Sequence, residues 1–272
     1  MHIMKLKVLD FRGHTRMTGT AQEGVSLVYT NAYEQGDRIV IETDVPGQFC
    51  VIQLEDTLAP ALVYLGGNVL SYSIPAEENR VVFSPKSFVG NRHLIRARFA
   101  RPEEIAARRC LTNNPYDQHG SDSFYPHASA NVETRDEAVF AAYNAIDGIF
   151  ENNSHGEWPY QSWGINRDPK AALKIEFGRK VFVDEVRLTL RADFPHDNYW
   201  VRATVEFSDG TEETVSLTDS SLPQAFAIPP HETEWLVLKN LIKAEGASPF
   251  PALTQLEAYG TELQPVKSQN NV

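Results

Sequence analysis

The stretch LKIEFG at residues 173–178, continued by VFVDEVRLTL at residues 181–190, decides the fold class of this chain. In both segments apolar side chains alternate with polar ones, and β-branched and aromatic residues are frequent. A period of two along the chain is typical of a strand that buries one face. The sequence therefore predicts paired strands here. The expected core residues of this half are Leu173, Ile175, Phe177, Val186, Leu188, Leu190, Val205, Phe207, Leu236, Leu238 and Leu256.

Strand-like segments continue on both sides of this stretch. The pair Asp209-Gly210 favours a tight hairpin between two alternating segments, because such a turn needs residues that accept a positive φ. The predicted strands of the second half include residues 200–207, 213–217, 224–228, 235–242 and 253–259. Those of the first half are residues 6–9, 25–29, 38–43, 49–54, 62–65, 69–74, 80–83 and 94–99. Helical signals are confined to residues 102–109 and 137–145.

Length and strand spacing indicate two domains. The chain has 272 residues, of which 42% are hydrophobic and 22% charged, and a domain typically takes about 100–150 residues. Short strands separated by Gly, Pro, Asn and Asp are typical of sandwiches. We therefore expect an all-β chain with two jelly-roll-like β-sandwich domains. The predicted units are a first domain at residues 1–110, an ordered linker at 111–124, a second domain at 125–263 and a tail at 264–272.

The charge of the chain is uneven. Residues 1–110 carry a net charge of +1 and residues 111–272 one of -12, which together give -11, and all four tryptophans lie in the second half. Acidity argues against a nucleic-acid partner, and no apolar segment reaches the about 20 residues of a membrane span. Without an apolar signal segment at the N-terminus, we expect a cytoplasmic location, or a secreted one if a signal was removed. The chain has only two cysteines, which is too few to indicate a fold held by several disulfides.

Five short motifs in the second half follow one another in a familiar order. They are AIDG at residues 145–148, LKIEFG at 173–178, VDEV at 183–186, VEFSDG at 205–210 and LEAYG at 256–260. In this order they resemble the discoidin family, also called coagulation factor 5/8 type C domains, and within it the bacterial carbohydrate-binding modules of family 32. The resemblance covers residues 125–261 and implies a galactose-binding-like sandwich that binds a saccharide. Residues 1–110 show no such resemblance.

The resemblance also implies a structural calcium ion. Asp147 and Glu257 stand where the family often binds Ca²⁺, and Asn152 in the loop after Asp147 supplies a further oxygen. Calcium takes six to eight oxygen ligands. Ile149 departs from the family pattern after Gly148, which leaves open the alternative that Asp147 caps a turn without an ion. No organic cofactor is expected.

Two loops carry the residue types of a sugar site, HGEWPYQSWG at residues 155–164 and RADFPHDNYW at residues 191–200. A saccharide needs a flat aromatic face beside fixed hydrogen-bond donors and acceptors. The guanidinium of Arg191 suits a carboxylate, a sulfate or a vicinal diol, unless it pairs within its own turn. The expected ligand-binding residues are His155, Glu157, Trp158, Gln161, Arg191, Asp193, His196, Asp197 and Trp200.

Three functions remain open at this stage. Carbohydrate binding without catalysis is the leading interpretation. The first alternative is a small saccharide-active lyase, isomerase or hydrolase that uses histidine and glutamate for acid–base chemistry. Its candidate catalytic residues are His127, Glu133, His155, Glu157 and His196. The second alternative is a protein-interaction module. The sequence leaves the sugar and the oligomeric state open.

Overall fold

The computed structural model describes residues 2–152, 154–193, 196, 198–246 and 248–263. The chain is mostly β, with 47% of residues in strands and 9% in helices, which confirms the predicted fold class. The strands are β1 (Ile3–Leu9), β2 (Thr15–Gln22), β3 (Gly24–Tyr29), β4 (Arg38–Thr43), β5 (Gln48–Gln53), β6 (Ala61–Leu65), β7 (Val69–Ser73), β8 (His93–Phe99), β9 (Arg109–Cys110), β10 (Phe124–Tyr125), β11 (His127–Ala130), β12 (Trp163–Gly164), β13 (Leu173–Leu190), β14 (Trp200–Phe207), β15 (Glu212–Ser216), β16 (Gln224–Lys243) and β17 (Ala252–Glu262).

Helices are short. The α-helix α1 (Pro102–Ala106) begins with a proline and two acidic residues, which suit the first turn of a helix. The described 3₁₀ helices are Glu77–Val82, Thr134–Asp136, Ala138–Phe140 and Ala142–Ile146.

The first half folds as two antiparallel sheets around one core. One sheet has the order β2-β1-β4-β7 and the other the order β10-β6-β5-β8-β3. Alternate residues of each strand point inward, as the period of two requires. Leu6 and Ile41 from the first sheet are fully buried in one cluster with Ile52, Val63 and Ile95 from the second. This sandwich is therefore held by apolar side chains from both layers.

The second half is built on two long strands. β13 has 18 residues and β16 has 20, and the ladder runs β12-β17-β13-β16-β14-β15, with β11 added to β13 and β9 to β17. β13 pairs with β11 before its register shift at residues 176–181 and with β17 after it, so the strand changes partners along its length. Such shifts bend a strand and increase its twist. All the predicted core residues of this half lie in one cluster and are at most 1% exposed, which confirms them.

The segment between the halves packs on both. Leu111 lies in the second core, whereas Tyr116 and Phe124 lie in the first. β9 pairs with β17 of the second sheet, and β10 pairs with β6 of the first. The Tyr116 hydroxyl donates to the carbonyl of Ala59 at 3.0 Å. The segment joins the two cores, while the exact division into domains stays a prediction.

A turn of β13 lies against the outer face of the first sandwich. The Arg179 guanidinium stacks over Phe49 at 4.8 Å and over Tyr64 at 5.0 Å. Its Nε also donates to Glu262 at 2.8 Å. The cation–π contacts thus hold the two sandwiches together at this turn, while the hydrogen bond to Glu262 fixes Arg179 within the second sandwich.

Some local predictions were wrong. The predicted strand at residues 80–83 is the end of a 3₁₀ helix, and the predicted helix at residues 137–145 is a series of 3₁₀ turns. β2 was not predicted, because this edge strand buries little and has a polar sequence. β16 was predicted as two strands. Two prolines lie between the predicted segments, and proline has no N–H to donate to a neighbouring strand. The register shift of β13 opposite them lets the strand continue. Within the described residues, no helix is long and apolar enough to cross a membrane.

Gly178 tests the junction between the sandwiches. It has φ +67°, and an added Cβ would lie 2.2 Å from Cδ2 of Tyr125. Gly178→Ala combines a left-handed backbone with this collision, and we expect it to lower the free energy of unfolding by about 2–4 kcal/mol. Gly210→Ala is the matched control, because it has φ +82° and nothing within 4 Å of the added Cβ. It carries only the backbone penalty of about 1–2 kcal/mol. Equal losses in thermal unfolding would contradict the packing at this junction.

Candidate functional site

A cavity of about 130 Å³ lies where loops meet at one end of the second sandwich. We call it the end pocket. It is lined by Thr134, Arg135, Phe140, His155, Gly164, Ile165, Asn166, Arg167, His196, Pro249, Phe250, Pro251 and Ala252. Both predicted loops thus reach it, one through His155 and the other through His196. A cavity of this volume suits a single sugar unit rather than a chain of them.

His196 is the most buried polar group of the end pocket, with 7% exposure. Its Nδ1 donates to the carbonyl of Phe250 at 2.8 Å. Burial lowers the pKa of His196, and the nearby positive charge of Arg191 lowers that pKa further. The ring is therefore neutral at pH 7, with its proton on Nδ1, so Nε2 is an acceptor. Nε2 is buried and has no hydrogen-bonding partner among the described residues.

His155 lies beside His196 but faces solvent. The two rings are 5.7 Å apart, and His155 also meets the ring of Tyr160 edge-on at 5.8 Å. Tyr160 is buried, so it anchors the loop from which His155 projects. The pair therefore combines one fixed histidine with one accessible histidine.

Arg191 supports the end pocket from inside the protein. It is fully buried, although it was predicted to contact the ligand. Its Nε and Nη2 donate to the two oxygens of Asp193 at 2.7 and 3.0 Å, and its Nη1 donates to the carbonyl of Tyr160. The internal Arg–Asp pair, which was the alternative interpretation, is the arrangement found. Arg191 joins the two loops and is not available to a ligand.

Two aromatic rings belong to the lining. Phe250 is 39% exposed even though the Arg167 guanidinium stacks over its ring at 4.4 Å. Phe140 is buried, lies 6.1 Å from the His196 ring and has the Arg135 guanidinium 5.4 Å above it. Apolar ring surface thus lies beside polar nitrogen atoms, which is the combination that a sugar ring requires.

The remaining predicted ligand residues do not line the end pocket. Trp200 is fully buried with its ring 6.4 Å from that of Trp163, so its assignment to the ligand is wrong. Gln161 is buried and donates to Asp147 at 2.9 Å. Trp158 is half-buried and Glu157 is exposed, and neither is part of the pocket lining. Asp197 lies outside the described residues.

The candidate catalytic residues separate into two places. His127 pairs with buried Asp117 at 2.7 Å, and Glu133 contacts His119 at 2.9 Å and accepts from the N–H of Ala142 at 2.8 Å. Burial raises the pKa of Asp117, while its hydrogen bond to His127 acts in the opposite direction. These contacts tie the junction segment to the second sandwich, and His127 and Glu133 line a different cavity from that of His155 and His196. The five candidates therefore do not converge in one cavity.

The oxygens implied for calcium already have a partner from the protein. Nε2 of Gln255 donates to Oδ1 of Asp147 at 2.6 Å and to the carbonyls of Asn144 and Ile149 at 2.9 and 3.2 Å. A side-chain amide thus lies within the ring of oxygens that a cation would need. Burial raises the pKa of Asp147 to about 7, and hydrogen bonds from Gln161 and the Ile149 N–H lower it in part. In this arrangement the residues do not fit a calcium ion.

The other two predicted calcium ligands, Glu257 and Asn152, do not complete a calcium site. Glu257 accepts from the Tyr259 hydroxyl at 2.8 Å, and Asn152 has a buried Oδ1 without a hydrogen-bonding partner among the described residues. Over the described part of the chain, no three His, Cys, Asp or Glu side chains are grouped as a metal site would require. Calcium stays an untested prediction.

Sequence reasoning missed much of the end pocket. Thr134, Arg135, Asn166, Arg167 and Phe250 come from turns that the sequence does not connect. One signal was available, because Phe250 stands between two prolines, and an aromatic residue in such a loop has no strand face to occupy. The convergence of the turns itself depends on tertiary structure.

A larger cavity of about 450 Å³ lies on the outer face of β3, β5 and β8 in the first sandwich. Its lining includes Arg96, Arg98 and Gln53 but no aromatic side chain. It therefore lacks the ring surface on which a sugar stacks. For this reason the end pocket is the stronger candidate.

No protein-family model matches this chain, and no curated protein matches it. Among solved structures it is similar to chitosan-binding module 1 of a chitosanase/glucanase from Paenibacillus sp. IK-5, with 17% identity, 56% of this chain and 99% of that chain covered, and a TM-score of 0.38. It is also similar to the family 32 carbohydrate-binding module of C. perfringens NanJ in complex with galactose (19%, 48% and 91%, TM-score 0.37). The lectin domain of lectinolysin, complexed with Lewis B antigen, is a third (12%, 56% and 97%, TM-score 0.41). At these identities the ligand must be argued from this chain's own residues.

A calcium titration tests the Gln255 arrangement. Because an amide nitrogen lies among the oxygens, we expect added Ca²⁺ and added chelator to leave the melting temperature unchanged. Gln255→Ala removes the amide from its buried oxygen partners, and we expect it to lower the free energy of unfolding by about 1–3 kcal/mol. Gln22→Ala is the control, because Gln22 is exposed at the end of the edge strand β2, and it should leave the stability unchanged. A melting temperature of the unsubstituted protein that rises with Ca²⁺ would show that an ion displaces the amide.

Proposed function

We propose that this chain is a carbohydrate-binding protein and that the end pocket takes one saccharide unit. The proposal rests on Nε2 of His196, which is buried and has no hydrogen-bonding partner among the described residues, and on the exposed ring of Phe250 in the same lining. A sugar ring presents C–H groups on its face and hydroxyls around its edge. The C–H groups can pack on the ring of Phe250, and a hydroxyl can donate a hydrogen bond to Nε2 of His196.

The other polar groups of the lining extend this match. His155 and Asn166 are exposed and able to exchange hydrogen bonds with further hydroxyls. Arg191 fixes the loops behind them, so most of the arrangement exists before a ligand arrives. A pre-formed site loses less conformational entropy on binding. In this proposal the first sandwich supports the second or offers a separate interaction surface.

Binding is favoured over catalysis by the position of the carboxylates. Acid–base chemistry on a sugar commonly needs two carboxyl groups on either side of the scissile bond. Among the described residues, the lining of the end pocket contains no aspartate or glutamate. Two carboxylates are bonded to arginines at the pocket: Asp193 has both oxygens bound by Arg191, and Glu137 has both oxygens bound by Arg135.

A glycan array followed by calorimetry with single sugars tests the proposal. We expect binding in the millimolar range or tighter, unchanged by chelator. Phe250→Ala and His155→Ala should each weaken it about fivefold to tenfold, because each removes contact area or a hydrogen bond worth roughly 1 kcal/mol.

Matched controls are available in the first sandwich. Phe11 is 62% exposed and His14 has a side chain that is 74% exposed, and both are distant in sequence from the end pocket. Phe11→Ala and His14→Ala should leave the affinity unchanged. No binding of any sugar, or binding that Phe250→Ala and His155→Ala do not affect, would refute the proposal.

A further inference from the structure

The charges that line the end pocket have one sign. The lining contains two arginines and two histidines and, among the described residues, no acidic side chain. This pocket belongs to the second half of the chain, residues 111–272, which carries a net charge of -12. The composition of this acidic domain does not explain a pocket lined by cationic side chains. The positive charge therefore indicates a requirement of the pocket itself.

Arg167 is the arginine without an acidic partner. Its side chain is exposed, its guanidinium stacks over Phe250 at 4.4 Å, and it makes no ion pair with any described residue. Stacking leaves the edge of the guanidinium, where all the N–H groups point, free to donate. Such an edge matches the paired oxygens of a carboxylate or sulfate.

Arg135 already has an acidic partner for part of its guanidinium. Its Nε and Nη2 donate to Glu137 at 2.6 and 2.8 Å, which neutralises much of its charge. Its Nη1 has no hydrogen-bonding partner among the described residues, and its side chain is 62% exposed. Arg135 is therefore the secondary anion contact, and Arg167 the primary one.

Both arginines stand on strained turns. Arg135 and Asp136 have φ of +55° and +53°, and Asn166 and Arg167 have φ of +47° and +61°. These four are half of the eight described non-glycine residues with positive φ. The Thr134 hydroxyl joins the two turns by accepting from the Asn166 N–H at 2.9 Å. Residues in this conformation cost free energy and are concentrated at functional sites.

We propose that the saccharide unit bound in the end pocket is anionic and that Arg167, assisted by Arg135, holds its carboxylate or sulfate. The inference rests on the proposed function and specifies its ligand. The anion lies against the guanidinium edge of Arg167, while the sugar ring contacts the part of the Phe250 ring that Arg167 leaves exposed, and one hydroxyl donates to Nε2 of His196. Neutral His196 contributes no charge, so discrimination between acidic and neutral sugars depends on the arginines.

Matched sugars separate this inference from simple sugar binding. Galactose, galacturonic acid and galactose 6-sulfate differ only at C6, and glucose, glucuronic acid and glucose 6-sulfate form a second series. In calorimetry at low salt, we expect at least one acidic sugar, the carboxylate or the sulfate, to bind about tenfold more tightly than the neutral sugar of its series. Added salt should reduce this preference. Comparison of the carboxylate with the sulfate tells which anion is preferred.

Arginine variants locate the effect. Arg167→Gln should abolish the preference for the acidic sugar, and Arg135→Gln should reduce that preference in part. Arg202→Gln is the matched control, since Arg202 is exposed on β14 and outside the pocket lining. Equal affinity for acidic and neutral sugars, with sensitivity to Phe250→Ala retained, would overturn this inference and leave the proposed function standing. No binding of any sugar would overturn both.

Discussion

The buried guanidinium of Arg191 determines the shape of the candidate site. It is fully buried, and its N–H groups are divided between the Asp193 carboxylate and the carbonyl of Tyr160. Leaving this buried charge unpaired would cost about 3–5 kcal/mol. The two loops are therefore held in the positions in which Asp193 and Tyr160 accept the hydrogen bonds of Arg191. His155 and His196 project from these two loops. The ion pair is therefore structural, and the site depends on it without exposing it to a ligand.

The two halves of the chain are stabilised in different ways. The first is a two-sheet sandwich with one apolar core, whereas the second encloses its core with long strands that change partners. The junction segment contributes side chains to both cores, and Arg179 adds its stacked contact with Phe49 and Tyr64. The loops at one end of the second half are then left free to vary, as loops on a rigid scaffold commonly do.

The sequence predicted the core better than the site. Period-two patterns identify residues such as Ile175 and Leu188, because inward-facing positions must be apolar whatever the loops do. Trp200 shows the limit of this reasoning, since an aromatic residue beside a polar loop fits a sugar platform and a buried core equally well. Arg167 and Phe250 meet only through tertiary folding. Gln255 was not predicted, because its role depends on three oxygens from distant residues.

Hydrogen–deuterium exchange with and without saturating saccharide locates the bound ligand on the chain. Galacturonic acid and galactose are used in separate experiments on the full chain. Binding at the end pocket predicts slower exchange in peptides that cover residues 134–140, 155–167 and 249–252, which contain its lining residues. It predicts no change at residues 24–26, 51–53 and 96–98, which line the cavity of the first sandwich. Protection confined to that first-sandwich cavity would contradict the account.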